Sequence, residues 1–128
     1  MMKCELVLIV GMLLLVSCTH TGWRDDPKAW HKVELNLDRV DPEGLRGPSN
    51  GKVAVAYEFC IPNTDRCKRE VRTIDSTVQF MAGSRGRIGC GKGECLCIGS
   101  THQANYRSVL RALARLSYIE RITECYFE

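Results

Sequence analysis

Cysteines are the residues of this chain with the most obvious chemistry. Two lie near the N-terminus, at Cys4 and Cys18, and the other six follow residue 59. Those six are Cys60, Cys67, Cys90, Cys95, Cys97 and Cys125. An even number of cysteines in an exported domain predicts a disulfide framework, and six cysteines allow about 15 pairings. The spacing leaves the pairs Cys60–Cys67, Cys90–Cys95 and Cys60–Cys97 all open.

A metal or redox site is the rival interpretation of the same cysteines. The run Cys90-x4-Cys95-x-Cys97 lacks the paired C-x2-C spacing of structural zinc sites. We therefore expect no metal ligands and no cofactor. The alternative that stays open is an exported thiol or metal protein that uses Cys90, Cys95 and Cys97.

A glycine-rich basic loop, residues 83–93, contains the next candidate site. Residues 86–92 read G-x4-G-K, close to a phosphate-binding loop, but Gly93 stands where that motif needs Ser or Thr, and a strand pattern follows. We therefore exclude nucleotide hydrolysis. Arg85, Arg87 and Lys92 are instead candidates to bind an anionic group on a partner protein, a glycan or a lipid. The simpler alternative is a solvated connection.

Motifs of common enzyme families are missing from the sequence. It contains no C-x-x-C, G-x-S-x-G or H-E-x-x-H. His102 lies in the first turn of a predicted helix, without an acid or a cysteine spaced to form a catalytic pair. We predict that the protein is not an enzyme.

The N-terminal segment has the pattern of an export signal. Residues 6–16 are apolar apart from Gly11 and uncharged, which is too short for the roughly 20 residues that cross a bilayer. The run ends in Leu15-Val16-Ser17-Cys18, which resembles the lipobox of bacterial lipoproteins. The resemblance implies that residues 1–17 are removed and that Cys18 is lipidated. An ordinary signal peptide, and hence a secreted protein, is the alternative.

The location that follows is the cell envelope, with attachment to the membrane through the lipid anchor. Thr19 stands where an Asp would argue for inner-membrane retention, so in a Gram-negative cell the resemblance favours the outer membrane. The net charge is only +3 over 128 residues, and we expect no nucleic-acid partner. That length excludes a multidomain enzyme.

Composition divides the mature chain into two parts. Residues 18–50 contain three prolines and no cysteine after Cys18, and we interpret them as a tether. Within this segment Val33, Leu35 and Leu37 alternate with polar residues, which predicts a strand over residues 33–38. Residues 51–128 hold the six remaining cysteines and are predicted to form the folded domain.

The elements of this domain follow from its periodicity. Residues 53–59 alternate as a strand, and Asn63 or Thr64 caps a helix that ends near residues 75–76. Ser100 and Gln103 match the S-x-x-Q capping box and predict a second helix. Further strands are predicted over residues 77–82, 94–99 and 118–127.

The resulting order, strand–helix–strand–strand–helix–strand, predicts an α+β ferredoxin-like sandwich stabilised by disulfides. The outward faces of its two helices are rich in arginine and lysine. We expect a binding or structural module. Residues 113–122 also resemble the passage from the last helix to the last strand in subtilisin propeptide-type inhibitors, so a protease-inhibitor module is the alternative.

Overall fold

The computed structural model describes residues 27–126. Three helices and seven strands occur in this range. They are α1 (Pro27–Trp30), β1 (Val33–Glu34), β2 (Leu45–Arg46), β3 (Val53–Ala54), β4 (Ala56–Pro62), α2 (Asp65–Ile74), β5 (Gln79–Met81), β6 (Glu94–Ser100), α3 (Tyr106–Ala114) and β7 (Ile122–Glu124).

A five-stranded mixed sheet in the order β1-β7-β4-β6-β5 forms the centre of the structure. The two long strands β4 and β6 pair antiparallel over their whole length, from Ala56 opposite Ser100 to Pro62 opposite Glu94. β5 and β7 pair antiparallel at the two sides of this central pair, and β1 adds to β7 in parallel. β2 and β3 form a separate small hairpin-like pair. The predicted α+β class is confirmed.

One face of the sheet packs against the helices. Tyr57, Phe59 and Ile61 alternate along β4 and are fully buried in the core. Because opposite residues of paired strands share a face, their partners on β6 face the same way. The covering residues Val71 of α2 and Leu110 of α3 are also fully buried. The helix layer therefore lies on this face.

Helix α2 begins and ends where the sequence predicts. Thr64 is the N-cap, and its hydroxyl accepts a hydrogen bond of 3.2 Å from the backbone N–H of Cys67. At the other end the N–H of Asp75 donates to the carbonyl of Val71 at 2.8 Å. The cap satisfies one of the backbone donors that a helix start leaves open.

The predicted capping box of α3 is wrong. The helix begins at Tyr106, and its N-cap Asn105 has a left-handed backbone with φ 55° and no side-chain capping bond. The Gln103 amide instead donates to the carbonyl of Ser100 at 2.8 Å and to Asp75 Oδ1 at 3.1 Å. A buried carboxylate needs donors more than an exposed helix end does, and this draws Gln103 away from the cap.

Residues 27–50 pack against the domain, which differs from the expected tether. Ala29, Leu37 and Val40 are buried in the same core as the sheet residues. The strand predicted over residues 33–38 is present only as the two residues of β1. Part of the apolar pattern that indicated a strand is used for helix-side packing instead. Residues 18–26 of the predicted tether lie outside the described residues.

Two further strand predictions change at their ends. The first predicted strand divides at Val55 into β3 and β4, because Val55 bonds to Thr101 between them: its N–H donates to Thr101 Oγ1 at 2.9 Å. The last strand is confined to Ile122–Glu124 within the described chain. Tyr118 and Ile119 precede it in a turn, since the N–H of Ile119 donates to the carbonyl of Leu116.

Candidate functional site

The basic loop, residues 83–93, lies across the sheet face that the helices leave uncovered. Glu58 and Leu96 alternate with the core residues of their strands and therefore point to this face. The backbone N–H of Ile88 donates to Glu58 Oε1 at 2.6 Å. A guanidinium nitrogen of Arg121 donates to the carbonyl of Ile88 at 3.1 Å. The loop is thus bound to β4 and to the residue that precedes β7.

A disulfide joins the loop covalently to the sheet. Cys60 on β4 bonds to Cys90 in the loop, which lies 30 positions further along the chain, with a Cα–Cα distance of 5.5 Å. Gly86 allows the loop to approach so closely, because its φ is +63° and an added Cβ would lie 2.8 Å from a methyl group of Leu96. The loop is held in one position on the sheet.

Two of the three predicted anion-binding residues come together. Arg85 and Lys92 line one shallow depression of about 320 Å³ with Cys90 and Gly91. Arg85 Nε donates to the carbonyl of Cys90 at 3.1 Å, which fixes the orientation of its guanidinium. Both basic side chains belong to exposed residues. This depression can accept a small anionic group.

Arg87 does not line that depression. Its charge lies close to the Cys125 thiol, where it favours the thiolate. The pKa of Cys125 is nevertheless raised, first by burial and then by the neighbouring Glu58 carboxylate. The predicted trio is therefore divided into a pair, Arg85 with Lys92, and a separate arginine, Arg87, near Cys125.

Glu58 is the residue of this site that sequence reasoning missed. The alternation of residues 53–59 places Glu58 on the face opposite Tyr57 and Phe59, yet the residue is only 3% exposed. Its carboxylate accepts the loop N–H of Ile88, so the acid holds the loop on the sheet. The sequence did contain one signal for this role: Glu58 lies two positions before Cys60 and therefore on the same face of the strand. A segment that covers this face must provide a hydrogen-bond donor for the buried carboxylate.

The predicted three-disulfide framework is reduced to one bond in the described part of the chain. Cys60 and Cys90 form it, and the other four cysteines of residues 27–126 are thiols. Of these four, Cys95 and Cys97 are buried on the helix side, whereas Cys67 and Cys125 are half-buried. Cys97 lies opposite Phe59, one position away from Cys60, and strand alternation turns the two side chains to opposite faces.

The same geometry separates the trio considered for a metal. Cys90 is in the disulfide on the loop side, while Cys95 and Cys97 face the helices. In residues 27–126 no three His, Cys, Asp or Glu side chains are placed to hold a metal ion. Burial, and secondly the neighbouring Cys95, raise the pKa of the Cys97 thiol, so it stays protonated at neutral pH.

On the helix side of the sheet, a buried polar cluster forms around Asp75. The Tyr57 hydroxyl donates to Asp75, and burial first and then the charge of Asp75 raise the pKa of Tyr57. The Thr77 hydroxyl donates to Asp75 at 2.6 Å. The Gln103 amide also donates to Asp75 Oδ1 at 3.1 Å, so Asp75 connects β4, the end of α2 and the segment that precedes α3. His102 lies outside this cluster. It is exposed, and its ring nitrogen Nδ1 lies 3.3 Å from the carbonyl oxygen of Glu43.

The predicted signal peptide, residues 1–17, and the predicted lipidation site Cys18 lie outside the described residues. Among residues 27–126, no helix has the length and apolar character needed to cross a bilayer. No protein-family model, curated protein or solved structure matches this chain.

Proposed function

We propose that the protein is an envelope lipoprotein, lipidated at Cys18, whose domain binds an anionic group of another envelope component through residues 83–93. The observation that carries the proposal is the Cys60–Cys90 disulfide, which fixes a basic loop on the sheet. A loop that is already ordered loses less conformational entropy when it binds. The partner is an envelope protein, a glycan or an anionic lipid.

Export is supported by two independent features. Disulfides persist in oxidising compartments and are rare in the cytosol, and one joins Cys60 to Cys90. The N-terminal residues, with an apolar run that ends at Leu15-Val16-Ser17-Cys18, resemble a lipoprotein signal. The two features agree on the same destination.

A binding function, in place of a catalytic one, is supported by the hydrogen bonds of the polar residues, because the buried acids bond within the fold. Glu58 holds the loop, and Asp75 joins three elements through Tyr57, Thr77 and Gln103. Arg85 and Lys92 are exposed at one depression. The buried polar groups therefore maintain the structure while the exposed basic pair is presented to a partner.

We also propose that the domain has a ferredoxin-like fold, to which residues 27–50 are an addition. In chain order the elements β4, α2, β5, β6, α3 and β7 follow the split βαβ pattern. In the sheet the same strands stand in the order β7-β4-β6-β5 with antiparallel neighbours. β1 extends this sheet at the β7 edge.

The anchor is tested on the full-length protein expressed in a bacterial host and purified from membranes. Mass spectrometry of the N-terminal peptide should find an acylated cysteine at position 18. The Cys18→Ser variant should lose the acyl mass and keep residues 1–17, because a lipoprotein signal is removed only after its cysteine is acylated. An unmodified Cys18, or removal of residues 1–17 from the Cys18→Ser protein, would contradict lipidation.

The binding site is tested by affinity capture from detergent-solubilised envelopes with quantitative mass spectrometry. Arg85→Ala with Lys92→Ala should lower recovery of the partner at least tenfold. The matched control is Arg66→Ala with Arg69→Ala, which removes the same charge from exposed positions on α2. Equal recovery with both double variants would rule out the loop as the binding site.

A further inference from the structure

Basic residues dominate the helix layer. With the C-caps included, the acids of its three helices are Asp65, Glu70 and the fully buried Asp75, all of α2. The basic residues, with the C-cap of α3 included, are Lys28, Arg66, Lys68, Arg69, Arg72, Arg107, Arg111 and Arg115. Most of these residues, among them Arg66, Arg69 and Arg115, are exposed. The outer surface of the helices is therefore strongly positive.

The loop face has a more balanced charge. Glu58 and Glu94 accept backbone hydrogen bonds there, from Ile88 and Gly91. Arg121 lies 3.6 Å from Glu34 in an ion pair at the edge of the sheet. The strong positive surface and the basic loop thus lie on opposite sides of the sheet, so that one molecule can use both at once.

The chain enters the domain within the helix layer. α1 packs beside α3, with Ala29 buried and the Arg111 guanidinium 5.4 Å from the centre of the Trp30 ring. Cys18 precedes Pro27 by nine residues. Even a fully extended segment of that length spans only about 30 Å. An acyl anchor on Cys18 would therefore keep this layer close to the bilayer surface.

We propose that the outer face of the helix layer docks on anionic lipid headgroups of the membrane that holds the Cys18 anchor. The inference rests on the proposed lipidation of Cys18 and deepens it, because it fixes the orientation of the domain. The loop, residues 83–93, then points away from the membrane toward a partner. Each basic residue close to an anionic surface strengthens attraction about fivefold, and the short connection makes the lipid surface the nearest partner.

Charge distribution favours a lipid surface over an acidic protein as the occupant. The basic residues are spread over three helices and do not converge on one pocket. Such an arrangement suits a continuous plane of headgroups, to which many charges contribute independently. The attraction should also weaken as salt increases, since the Debye length falls below about 10 Å above 0.1 M.

Arginine footprinting of the full-length lipidated protein tests the orientation. The protein is reconstituted in vesicles of phosphatidylcholine alone, or with about one third phosphatidylglycerol, and modified with phenylglyoxal. Mass spectrometry then gives the modification rate at each arginine. With phosphatidylglycerol, Arg66, Arg69 and Arg115 should react at least threefold more slowly. Arg121, which is exposed beside the loop and is not one of the proposed binding residues, is the internal control and should keep its rate.

Variants with equal charge loss provide the matched comparison. Arg66→Gln with Arg69→Gln should remove the protection of Arg115, whereas Arg85→Gln with Lys92→Gln should leave it intact. Circular dichroism melting of both variants checks that they fold. Protection of the loop arginines, or equal rates in the two kinds of vesicle, would overturn the orientation.

Failure of the anchor gives a different result. Protein without a lipid would not float with vesicles of phosphatidylcholine alone. The footprint is then repeated with vesicles added to the purified protein. Protection of the helix arginines by phosphatidylglycerol would still support the lipid-binding face, and unchanged rates would overturn it.

Discussion

Cys60 and Cys97 lie on paired strands but are offset by one position, and this offset determines whether each cysteine forms a disulfide or stays a thiol. Their strands pair, but Cys60 lies opposite Leu96 and Cys97 lies opposite Phe59. Alternating side chains therefore send Cys60 to the loop and Cys97 into the helix-side core. The first becomes a disulfide partner and the second a buried thiol.

Peptide mapping should find one disulfide, Cys60–Cys90, in the domain. In the native protein, iodoacetamide should modify the half-buried Cys67 and Cys125 first. The buried Cys95 and Cys97 should react only in denaturant, because burial keeps the reagent out and raises the pKa of Cys97. A bridge that includes Cys95 or Cys97 would contradict this arrangement.

The free energy of unfolding should decrease as the pH rises above about 10 because of Tyr57. Burial raises its pKa above the ordinary value of 10.0, so the unfolded chain loses the proton first and alkaline pH favours unfolding. Urea titrations at pH 7, 9 and 10.5 measure the effect. Tyr57→Phe should make the decrease shallower, by up to about 1.4 kcal/mol per pH unit. An unchanged slope in the variant would contradict it.

One threonine, Thr101, joins the segment before β2 to the segment between β3 and β4. Thr101, fully buried at the end of β6, donates to the Gly44 carbonyl at 2.6 Å. The same hydroxyl accepts the N–H of Val55 at 2.9 Å. Gly44 has φ +82°, and any Cβ there would collide with the Thr101 carbonyl. This hydroxyl thus connects residues 41–46 to the central sheet, in addition to the pairing of β1 with β7.

Thr101→Val should destabilise the domain by about 2–4 kcal/mol, since it leaves the Gly44 carbonyl and the Val55 N–H buried without a partner. Urea denaturation at pH 7 measures the change. Thr73→Val on exposed α2 is the matched control, because its hydroxyl only returns to the Arg69 carbonyl. Equal losses in both variants would show that the threonine contact has no special importance.

The sequence predicted those helix ends well that are determined by hydrogen bonds between neighbouring residues. The N-cap Thr64 and the end of α2 at Asp75 agree with the structure, because capping depends on neighbouring residues. The α3 cap could not be predicted, because the Gln103 amide donates to Asp75, which is 28 residues away in sequence. Residues 27–50 were misjudged for the same reason: their partners lie in the distant core.

The candidate site was predictable in composition but not in geometry. The sequence singled out Arg85, Arg87 and Lys92 by charge, and the structure separates Arg87 from the other two. The partner of Cys90 depended on which face of β4 the loop covers. No local pattern encodes that choice, because it follows from the packing of both helices on the other face.

For the whole molecule, the disulfide should account for a large part of the stability. Removal through Cys60→Ser with Cys90→Ser should lower the free energy of unfolding by about 3–4 kcal/mol, the entropy of a 30-residue closure. Urea denaturation measures it, and Cys67→Ser with Cys125→Ser is the control that changes two thiols without a bond. A loss of similar size in the control would assign the effect to packing.

The position of that disulfide also determines how the protein withstands cleavage. Cys60 and Cys90 enclose α2, β5 and most of the exposed loop in one covalent ring. A protease that cuts the chain after Arg85 or Arg87 would open the ring without releasing either fragment. The protein would persist as a nicked, two-chain molecule of nearly unchanged mass, and its pieces would separate only after reduction.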